Sequence, residues 1–146
     1  NLAFEIVGNL DPGYAQVEAI RNWIHQNISY QYNTSSSVTT ALDTIYQRVG
    51  VCRDFTHLGL ALTRSLSIPA RMTVGYLDKL EYMDFHAWFD AFVGGKWYTF
   101  DAVQAQTHGS RIVIGYGRDA ADVAMITQFG NAQLLSLEVT TEEIMD

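Results

Sequence analysis

The spacing of the apolar residues changes once along this chain, near residue 70, from a helical period to a period of two. Upstream, residues 11–29 and 52–66 place apolar side chains three or four positions apart, which is typical of amphipathic helices. Downstream, residues 84–93 and 96–102 are rich in aromatic residues, which strands favour. Helices followed by a run of strands favour an α+β fold, in which N-terminal helices pack on an antiparallel β-sheet, over alternating strand–helix units.

Three helices are predicted in the first half of the chain. The first spans residues 11–29 and begins at an Asp-Pro pair, a favourable helix start. The second spans 39–48, capped by one of its two threonines, and its spacing directs four side chains inward: Leu42, Ile45, Tyr46 and Val49. The third spans 52–66 and ends before a proline; its inward stripe is Phe55, Leu58, Gly59, Leu62 and Leu66.

Five strands are predicted after residue 70. The pair Gly94-Gly95 separates two of them, 84–93 and 96–102, and two adjacent glycines are a strong signal for a tight hairpin. Residues 119–125 predict a short helix or a turn. The remaining predicted strands are 71–77, 111–117 and 132–140.

The composition limits the class of protein. With 146 residues, 48% apolar and 17% charged, residues 1–146 are predicted to form a single globular domain. The net charge is −7 and the nine Lys and Arg residues are scattered, which excludes a nucleic-acid-binding surface. No apolar run reaches the length of a transmembrane helix and no signal-peptide pattern is present, so we expect no membrane partner and a cytoplasmic location.

Metal and cofactor sites are disfavoured by the sequence. One cysteine can make neither an internal disulfide nor a multi-thiolate metal site. The four histidines are dispersed, and no pair has ligand spacing. The segment "GYGRDA" at 115–120 fits a dinucleotide-binding pattern, but the 26 residues after Ala120 are too few for the strand–helix–strand unit that such a site needs. We therefore expect no metal and no cofactor.

The single cysteine, Cys52, stands at the predicted start of the third helix, in "GVCRDFTH". Amides in the first turn of a helix have no internal partner, and the helix dipole places partial positive charge there. That position favours a thiolate, and the same amides can hold an oxyanion. Position alone leaves two interpretations open: a nucleophile, or a small apolar residue that fills space.

A nucleophilic thiol needs a base, and the candidates nearest in sequence point away from it. Successive residues turn by about 100° around a helix, so His57 lies about 140° from Cys52 and Asp54 about 200°. We interpret His57 as a packed or hydrogen-bonded helix residue. We interpret Asp54 as a first-turn carboxylate that complements the helix dipole.

The predicted hairpin supplies a better pair. If its two glycines form a symmetric turn, Phe89 faces Phe100. His86 and Asp101 are then diagonal neighbours on one face, about 7–8 Å apart, within reach of an imidazole and a carboxylate. Asp101 would accept the Nδ1 proton of His86 and leave Nε2 facing outward, whereas a one-residue slip would separate the two. The residues predict a Cys52–His86–Asp101 triad, with a purely structural His–Asp hydrogen bond as the alternative.

Three segments resemble the bacterial transglutaminase-like proteins, a group that is often described as cysteine proteases. The segments are "GVCRDFTHLGLALTRSLSIPARMTVGYL", "DFHAWFDAFVGGKWYTFDA" and "RIVIGYGRDAADVAM", and the similarity runs from about Asp11 to Leu137. The resemblance implies a papain-like transglutaminase core. The cysteine, histidine and aspartate of the family's triad map onto Cys52, His86 and Asp101.

The resemblance also implies a reaction, namely cysteine-dependent acyl transfer on amide or peptide bonds of a protein or peptide, through a thioester. Papain-like enzymes use a side-chain donor upstream of the cysteine for the oxyanion, and Tyr32 and Gln31 are the candidates here. We interpret Trp88 as a wall of the cleft and residues 78–85 as its border. The alternative function is a non-catalytic module that binds a peptide or scaffolds a partner.

Members of this group usually carry an N-terminal β-rich domain before the core. The chain lacks that domain and opens without an initiator Met, so residues 1–146 are predicted to be a fragment of a longer protein. The calcium requirement of animal transglutaminases does not carry over, since the sequence has no oxygen-rich loop that resembles those sites.

Overall fold

In the part of the chain that the computed structural model describes, residues 1–80 and 85–145, four helices precede a four-stranded antiparallel sheet. The helices are α1 (Leu2–Val7), α2 (Tyr14–Asn27), α3 (Ala41–Gln47) and α4 (Cys52–Ser65). Two short strands, β1 (Ser29–Tyr30) and β2 (Val49–Gly50), pair in parallel before α4. The sheet has the order β5-β4-β3-β6, with strands β3 (Ala70–Leu77), β4 (His86–Val93), β5 (Lys96–Phe100) and β6 (Arg111–Gly117). No described helix has the length and apolarity that crossing a membrane requires.

The three predicted helices are present, and each is shorter than its sequence pattern. Helix α2 begins only at Tyr14, because Gly13, with a φ of 105°, is its N-cap. Helix α3 is capped by Thr40, whose hydroxyl accepts the Asp43 amide hydrogen while the Asp43 carboxylate accepts that of Thr40. Helix α1 lies outside the sequence prediction, because six residues are too few to show a helical period.

The inward face predicted for the second helix, α3, is wrong at two positions. Leu42 and Tyr46 are exposed, whereas Thr44 is buried and Ile45 packs partly against the core. Helix α3 has only two turns, and the side that packs on α4 is the one that carries Thr44. The apolar residues on its other side therefore remain in solvent.

Helix α4 is the central element, since it packs both on the other helices and on the sheet. Leu66 follows the helix and is half-buried, and the rest of the predicted stripe is buried: Phe55, Leu58, Gly59 and Leu62. Gly59 approaches β4 so closely that a Cβ there would lie 2.4 Å from the Phe89 ring. This packing holds α4 against β4, the two elements that carry Cys52 and His86.

The glycine pair forms the predicted hairpin turn between β4 and β5. Gly94 and Gly95 have φ values of 60° and 87°, the left-handed conformation that a two-residue hairpin turn requires. Phe89 pairs with Phe100, so the predicted register is confirmed. Residue 84 of the predicted strand lies outside the described residues, and β4 begins at His86.

The strand predicted at 132–140 is not formed, and that prediction is wrong. Residues 132–140 have no regular secondary structure, and Leu134, Leu135 and Leu137 are exposed. Alternating apolar residues make a strand only where a partner strand and a packing surface are available. Residues 119–125 form turns and bends, so the helical alternative for that segment is wrong as well.

Candidate active site

Cys52 is the first residue of α4, and its side chain is partly exposed. The N-cap, Val51, has no side-chain oxygen, and the Asp54 carboxylate instead accepts the Val51 amide hydrogen at 2.9 Å. Asp54 is buried, and a Cβ at Gly50 would lie 2.7 Å from the Asp54 Cβ, so only glycine leaves room for it. Asp54 is thus a first-turn carboxylate, and it holds the backbone that carries Cys52.

Arg53 holds the loop 35–40, which precedes α3, against the start of α4 by hydrogen bonds. Its guanidinium donates to the carbonyl oxygens of Thr39 at 2.9 Å and Ser37 at 3.1 Å, and to the Asp54 carboxylate at 3.1 Å. The Ser35 hydroxyl donates to the same carboxylate at 2.8 Å. The loop is therefore held in place as one wall beside the cysteine.

His86 and Asp101 form a buried pair, at the hairpin positions where the register brings them together. The His86 Nε2 atom lies 2.7 Å from Asp101 Oδ2. The predicted use of Nδ1 is wrong, because a ring that reaches along the diagonal of a hairpin presents its distal nitrogen, Nε2, to the carboxylate. Nδ1 is then the ring nitrogen left for the Cys52 thiol, which lines the same cleft and is near enough to contribute to the pKa of His86.

The surroundings of His86 favour its charged form. Burial by itself would lower the pKa of His86, but hydrogen bonds to Asp101 and Cys52, together with the charges of both, outweigh burial and raise the pKa to about 9. For Asp101, burial would raise the pKa, yet the bond to His86 and the charge of Arg111 hold the pKa of its carboxyl below the usual range. At neutral pH the pair therefore consists of an imidazolium and a carboxylate.

Arg111 is a second partner of Asp101, and no pattern in the sequence indicates this contact. Its NH1 group donates to Asp101 Oδ2 at 2.8 Å. Arg111 is the first residue of β6, and β6 pairs with β3 through a register shift between Val74 and Gly75, so no local pattern relates it to the hairpin. The guanidinium places positive charge next to the Asp101 carboxylate, which favours the ionised form of Asp101.

Tyr30 lies beside Cys52 on the upstream side. Strand β1 pairs Tyr30 with Gly50 of β2, two residues before Cys52, so the phenol reaches the start of α4. Tyr30 lines the same cleft as Cys52 and lies close enough for its pKa to respond to the Cys52 charge. Burial and the adjacent Cys52 charge raise the pKa of Tyr30 well above its usual value, so the hydroxyl keeps its proton and can donate it to a hydrogen bond.

Of the two residues that the sequence suggested for the oxyanion, Tyr32 lines the cleft next to Tyr30, whereas Gln31 is not part of the described lining. The Gln31 side chain is exposed, while its amide donates to the Gly50 carbonyl at 2.9 Å. Tyr32 is exposed, and its ring packs edge-on against Tyr30 at a centroid distance of 5.5 Å. Side chains alternate along an extended segment, so Gln31 points away from the side that Tyr30 presents to Cys52. A strand of two residues is too short for any periodicity to identify Tyr30.

The interpretation of Trp88 as a wall of the cleft is wrong. Trp88 is only 1% exposed; its ring lies 5.9 Å from the His86 ring, and the Arg111 guanidinium lies 4.9 Å from its centroid. It lies on the sheet face opposite α4, since its neighbours Ala87 and Phe89 belong to the apolar cluster under that helix. Trp88 therefore packs beside His86 on the same face of β4.

His57 accepts a hydrogen bond from a neighbouring segment, which confirms its interpretation as a hydrogen-bonded helix residue. The Ala120 amide donates to His57 Nε2 at 3.0 Å. Burial lowers the pKa of His57 and the Arg53 charge acts in the same direction, so the ring is neutral at neutral pH and Nε2 can accept. The contact holds residues 119–126 beside α4.

A cleft of about 770 Å³ opens at Cys52 and His86. Its walls come from the loop 35–40, from the side of β3 and β4 that faces α4, and from segment 119–126. Of the predicted border 78–85, residues 81–84 lie outside the described residues, and Phe85 lines the cleft. Over residues 1–80 and 85–145, no group of three or more His, Cys, Asp or Glu side chains could hold a metal ion.

Residues 1–102 match the family model of the transglutaminase-like superfamily. An uncharacterised protein of Mycobacterium leprae (strain TN) is 36% identical over 127 residues, which cover 82% of this chain and 45% of that protein. An uncharacterised protein of Mycobacterium tuberculosis (strain ATCC 25618 / H37Rv) is 30% identical over 125 residues, which cover 73% of this chain and 40% of that protein. The chain therefore spans less than half the length of these curated relatives.

Solved structures share the fold. A "Putative Cysteine Protease" from Cytophaga hutchinsonii matches with a TM-score of 0.84 at 48% identity, over 89% of this chain and 45% of that chain. Calcium-bound LapG of Legionella pneumophila matches with a TM-score of 0.60 at 13% identity, over 92% of this chain and 82% of that chain. A TGase crystal structure matches with a TM-score of 0.57 at 13% identity, over 94% of this chain and 33% of that chain. The last two likenesses concern the fold alone.

The fold class follows from the architecture and these matches together. The N-terminal helices pack on an antiparallel sheet, and the same arrangement recurs in the matched structures, which makes this an α+β fold of the papain-like transglutaminase-core type. The family model covers more than half of the residues, and the motifs around Cys52, His86 and Asp101 fall within it. The chain belongs to the transglutaminase-like superfamily.

Proposed function

We propose that this chain carries the catalytic core of a cysteine-dependent acyl hydrolase or transferase that acts on amide or peptide bonds. The observation that carries the proposal is the buried hydrogen bond between His86 and Asp101, 2.7 Å long, in the cleft that the Cys52 thiol also lines at a helix start. Family membership and the likeness to the Cytophaga hutchinsonii structure support cysteine-based catalysis. The proposed substrates are proteins or peptides, because the cleft is open and far larger than the bond to be broken.

In the first step, the Cys52 thiolate, paired with the His86 imidazolium, attacks the substrate carbonyl carbon and forms a C–S bond. The carbonyl π electrons move to the oxygen, and this oxyanion accepts hydrogen bonds from the Cys52 amide and the Tyr30 hydroxyl. When the C–N bond breaks, the imidazolium gives its proton to the leaving amine. A thioester on Cys52 and a neutral His86 remain.

In the second step, water or an amine attacks the thioester, and His86 takes the proton that this nucleophile loses. The C–S bond breaks, and the thiolate–imidazolium pair is restored. Asp101 keeps the ring in one orientation throughout, with Nε2 held and Nδ1 toward the sulfur. The nucleophile that is present decides whether the product is an acid or a new amide.

The proposal is tested by trapping the thioester. After incubation with a 4-nitrophenyl ester, intact-mass spectrometry should detect one acyl group, and peptide mapping should locate it on Cys52. A mixed peptide library, incubated with and without an added amine, should then yield new carboxyl termini or amine-linked products. If no ester acylates Cys52, and iodoacetamide labels it no faster than free cysteine, the catalytic proposal is wrong and a non-catalytic peptide-binding module is favoured.

Acyl transfer from a peptide is expected to slow as the pH rises past about 9, the pKa of His86. Only the imidazolium can protonate the leaving amine, and its fraction falls about tenfold for each pH unit above that pKa. Alkylation of Cys52 by iodoacetamide needs no proton donor, so its rate should not fall over the same range. Both rates measured between about pH 6 and pH 10.5 check this, and a parallel decline of both above pH 9 would contradict the role of His86 as the acid.

The Tyr30→Phe variant is expected to lower kcat/KM for acyl transfer by about 100-fold, because it removes one of the two oxyanion donors while keeping the ring. The rate of alkylation by iodoacetamide, which passes through no oxyanion, should change much less. Tyr46→Phe is the matched control, since Tyr46 is exposed on α3 away from the cleft. Equal kcat/KM values for Tyr30→Phe and wild type would exclude the hydroxyl as an oxyanion donor.

A further inference from the structure

We propose that the acyl group that Cys52 accepts is uncharged and apolar, and that the cleft beside the thiol selects for such a group. This inference rests on the proposed function and concerns its substrate class.

The cleft is lined by apolar side chains on two sides. One side is formed by β3 and β4, from which Met72, Val74 and Ala87 face the cleft; Met72 and Val74 also belong to the core cluster under α4. The opposite side is formed by segment 119–126, whose apolar members are Val123, Met125 and Ile126. Met125 and Ile126 remain about half exposed in the free protein, so an apolar group that enters between the two sides would remove their surface from water.

Four hydroxyl groups of the third wall, the loop 35–40, are engaged within the protein: those of Ser35, Ser36, Thr39 and Thr40. The Ser35 hydroxyl donates to Asp54. The Thr39 hydroxyl accepts the Ser36 amide hydrogen, and the Thr40 hydroxyl donates to Asp43. These groups would have to give up existing bonds in order to hold a polar substituent of the acyl group.

The charged groups of the lining are engaged as well. The guanidinium of Arg53 donates to Thr39, Ser37 and Asp54. Asp119 Oδ1 accepts the Ala121 amide hydrogen at 2.9 Å, and neutral His57 accepts that of Ala120. A charged acyl group would therefore lose its hydration against apolar walls, and an anionic one would find the Arg53 guanidinium already paired with Asp54.

The charges at the reaction centre act against either sign of acyl charge. The charged form of His86 acts against a cationic acyl group, while the negative net charge of −7 acts against an anionic one. A neutral apolar group avoids both repulsions and gains burial against Val74 and Ile126. The lining and the charges thus favour the same class of acyl group.

Three 4-nitrophenyl esters of similar length test the inference: the butanoyl ester, the anionic succinyl ester and the cationic 4-aminobutanoyl ester. Wild-type protein should form the Cys52 thioester from the butanoyl ester at least about tenfold faster, in kcat/KM, than from either charged ester. The thioester is followed by intact mass and the rate by release of 4-nitrophenolate. Each rate is corrected for the intrinsic reactivity of the ester toward free cysteine at the same pH.

Charge introduced into the wall gives a second, directional readout. Ile126 is 52% exposed, so Ile126→Lys and Ile126→Glu should both fold. Ile126→Lys should raise the relative rate of the succinyl ester about three- to fivefold and lower that of the 4-aminobutanoyl ester, and Ile126→Glu should do the reverse. Ile144→Lys and Ile144→Glu are the matched controls, because Ile144 is 87% exposed and is not part of the described lining of the cleft.

The outcomes separate the two proposals. Two results would overturn the apolar selection while leaving the thioester mechanism in place. One is equal corrected rates for the three esters. The other is that lysine and glutamate change the ester rates in the same way at Ile126 and at Ile144. Failure of all three esters to acylate Cys52 would overturn both. A preference for the butanoyl ester, together with opposite responses to lysine and glutamate at Ile126 alone, would support the inference.

Discussion

The Cys52→Ala variant is expected to form no acyl adduct with any ester and to lose acyl transfer by about 10⁴-fold or more, since removal of a catalytic nucleophile eliminates the covalent route. Residual rate would come only from the remaining oxyanion donors and from substrate binding. Cys52 is the only cysteine of the chain, so iodoacetamide labelling should vanish as well. The measurements are kcat/KM and intact mass after incubation with the butanoyl ester.

The loss should not be accompanied by unfolding. Cys52 is only partly buried, and its thiol packs at the edge of the apolar cluster under α4, so truncation to alanine is expected to change the free energy of unfolding by about 1 kcal/mol or less. Urea unfolding followed by circular dichroism checks this. The Cys52→Ser variant, which keeps a side chain of similar shape, should be equally inactive. Turnover above about 1% of the wild-type rate in either variant would show that the thiol is not the nucleophile.

The Asp101→Asn variant is expected to show the second-largest effect, because it changes both activity and stability. The amide keeps the shape of the side chain but removes the charge that opposes the His86 imidazolium and the Arg111 guanidinium. Acyl transfer should fall by about 10³- to 10⁴-fold, as expected when the group that orients a catalytic histidine is neutralised. The free energy of unfolding should fall by about 3 kcal/mol, because a nearly buried guanidinium loses its counter-ion.

The pH dependence of acyl transfer by Asp101→Asn gives a second measurement, which depends on the charge of Asp101 and not only on its role in folding. Without the Asp101 carboxylate, the pKa of His86 should fall from about 9, so the decline of acyl transfer at high pH should begin at a lower pH. Asp90→Asn is the matched control. Like Asp101, Asp90 is a buried carboxylate. It belongs to β4, outside the site, and accepts hydrogen bonds from Arg71, Thr73 and Thr99. This control should lose stability while kcat/KM and its pH profile stay close to those of the wild type.

Two outcomes would contradict the role given to Asp101. One is a kcat/KM for Asp101→Asn within about tenfold of the wild-type value, since a positioning carboxylate contributes far more than this. The other is an unchanged decline above pH 9, because that decline is assigned to a His86 pKa that Asp101 raises. A loss of stability alone, matched by Asp90→Asn, would reduce Asp101 to a structural residue.

The features that could be predicted from the sequence are those that depend on local chemistry. The start of α4 at Cys52 follows from helical spacing. The register of β4 and β5 follows from Gly94 and Gly95, because two left-handed residues permit only one tight turn and the turn fixes which residues face each other. His86 and Asp101 come together for the same reason.

The features that were missed depend on pairing between distant segments. Tyr30 reaches Cys52 only because β1 pairs with β2, and a two-residue strand leaves no periodic signal. Arg111 reaches Asp101 through a β6 pairing that is shifted between Val74 and Gly75. The strand predicted at 132–140 failed for the opposite reason. Its apolar pattern is present in the sequence, but the segment has no partner strand in the structure.

The sequence by itself thus determined that helices precede the antiparallel sheet, the hairpin register and the place of the thiol at a helix start, because backbone conformation within a short segment depends on that segment's own residues. The tertiary structure alone decided which His86 nitrogen meets Asp101, that Tyr30 lies beside Cys52, and that Arg111 and Trp88 pack next to the pair of His86 and Asp101. These contacts are set by the distances between packed elements and by the direction in which each side chain leaves its strand. The substrate preference inferred for the cleft belongs to the same category, since its walls come from three segments that are distant in the chain.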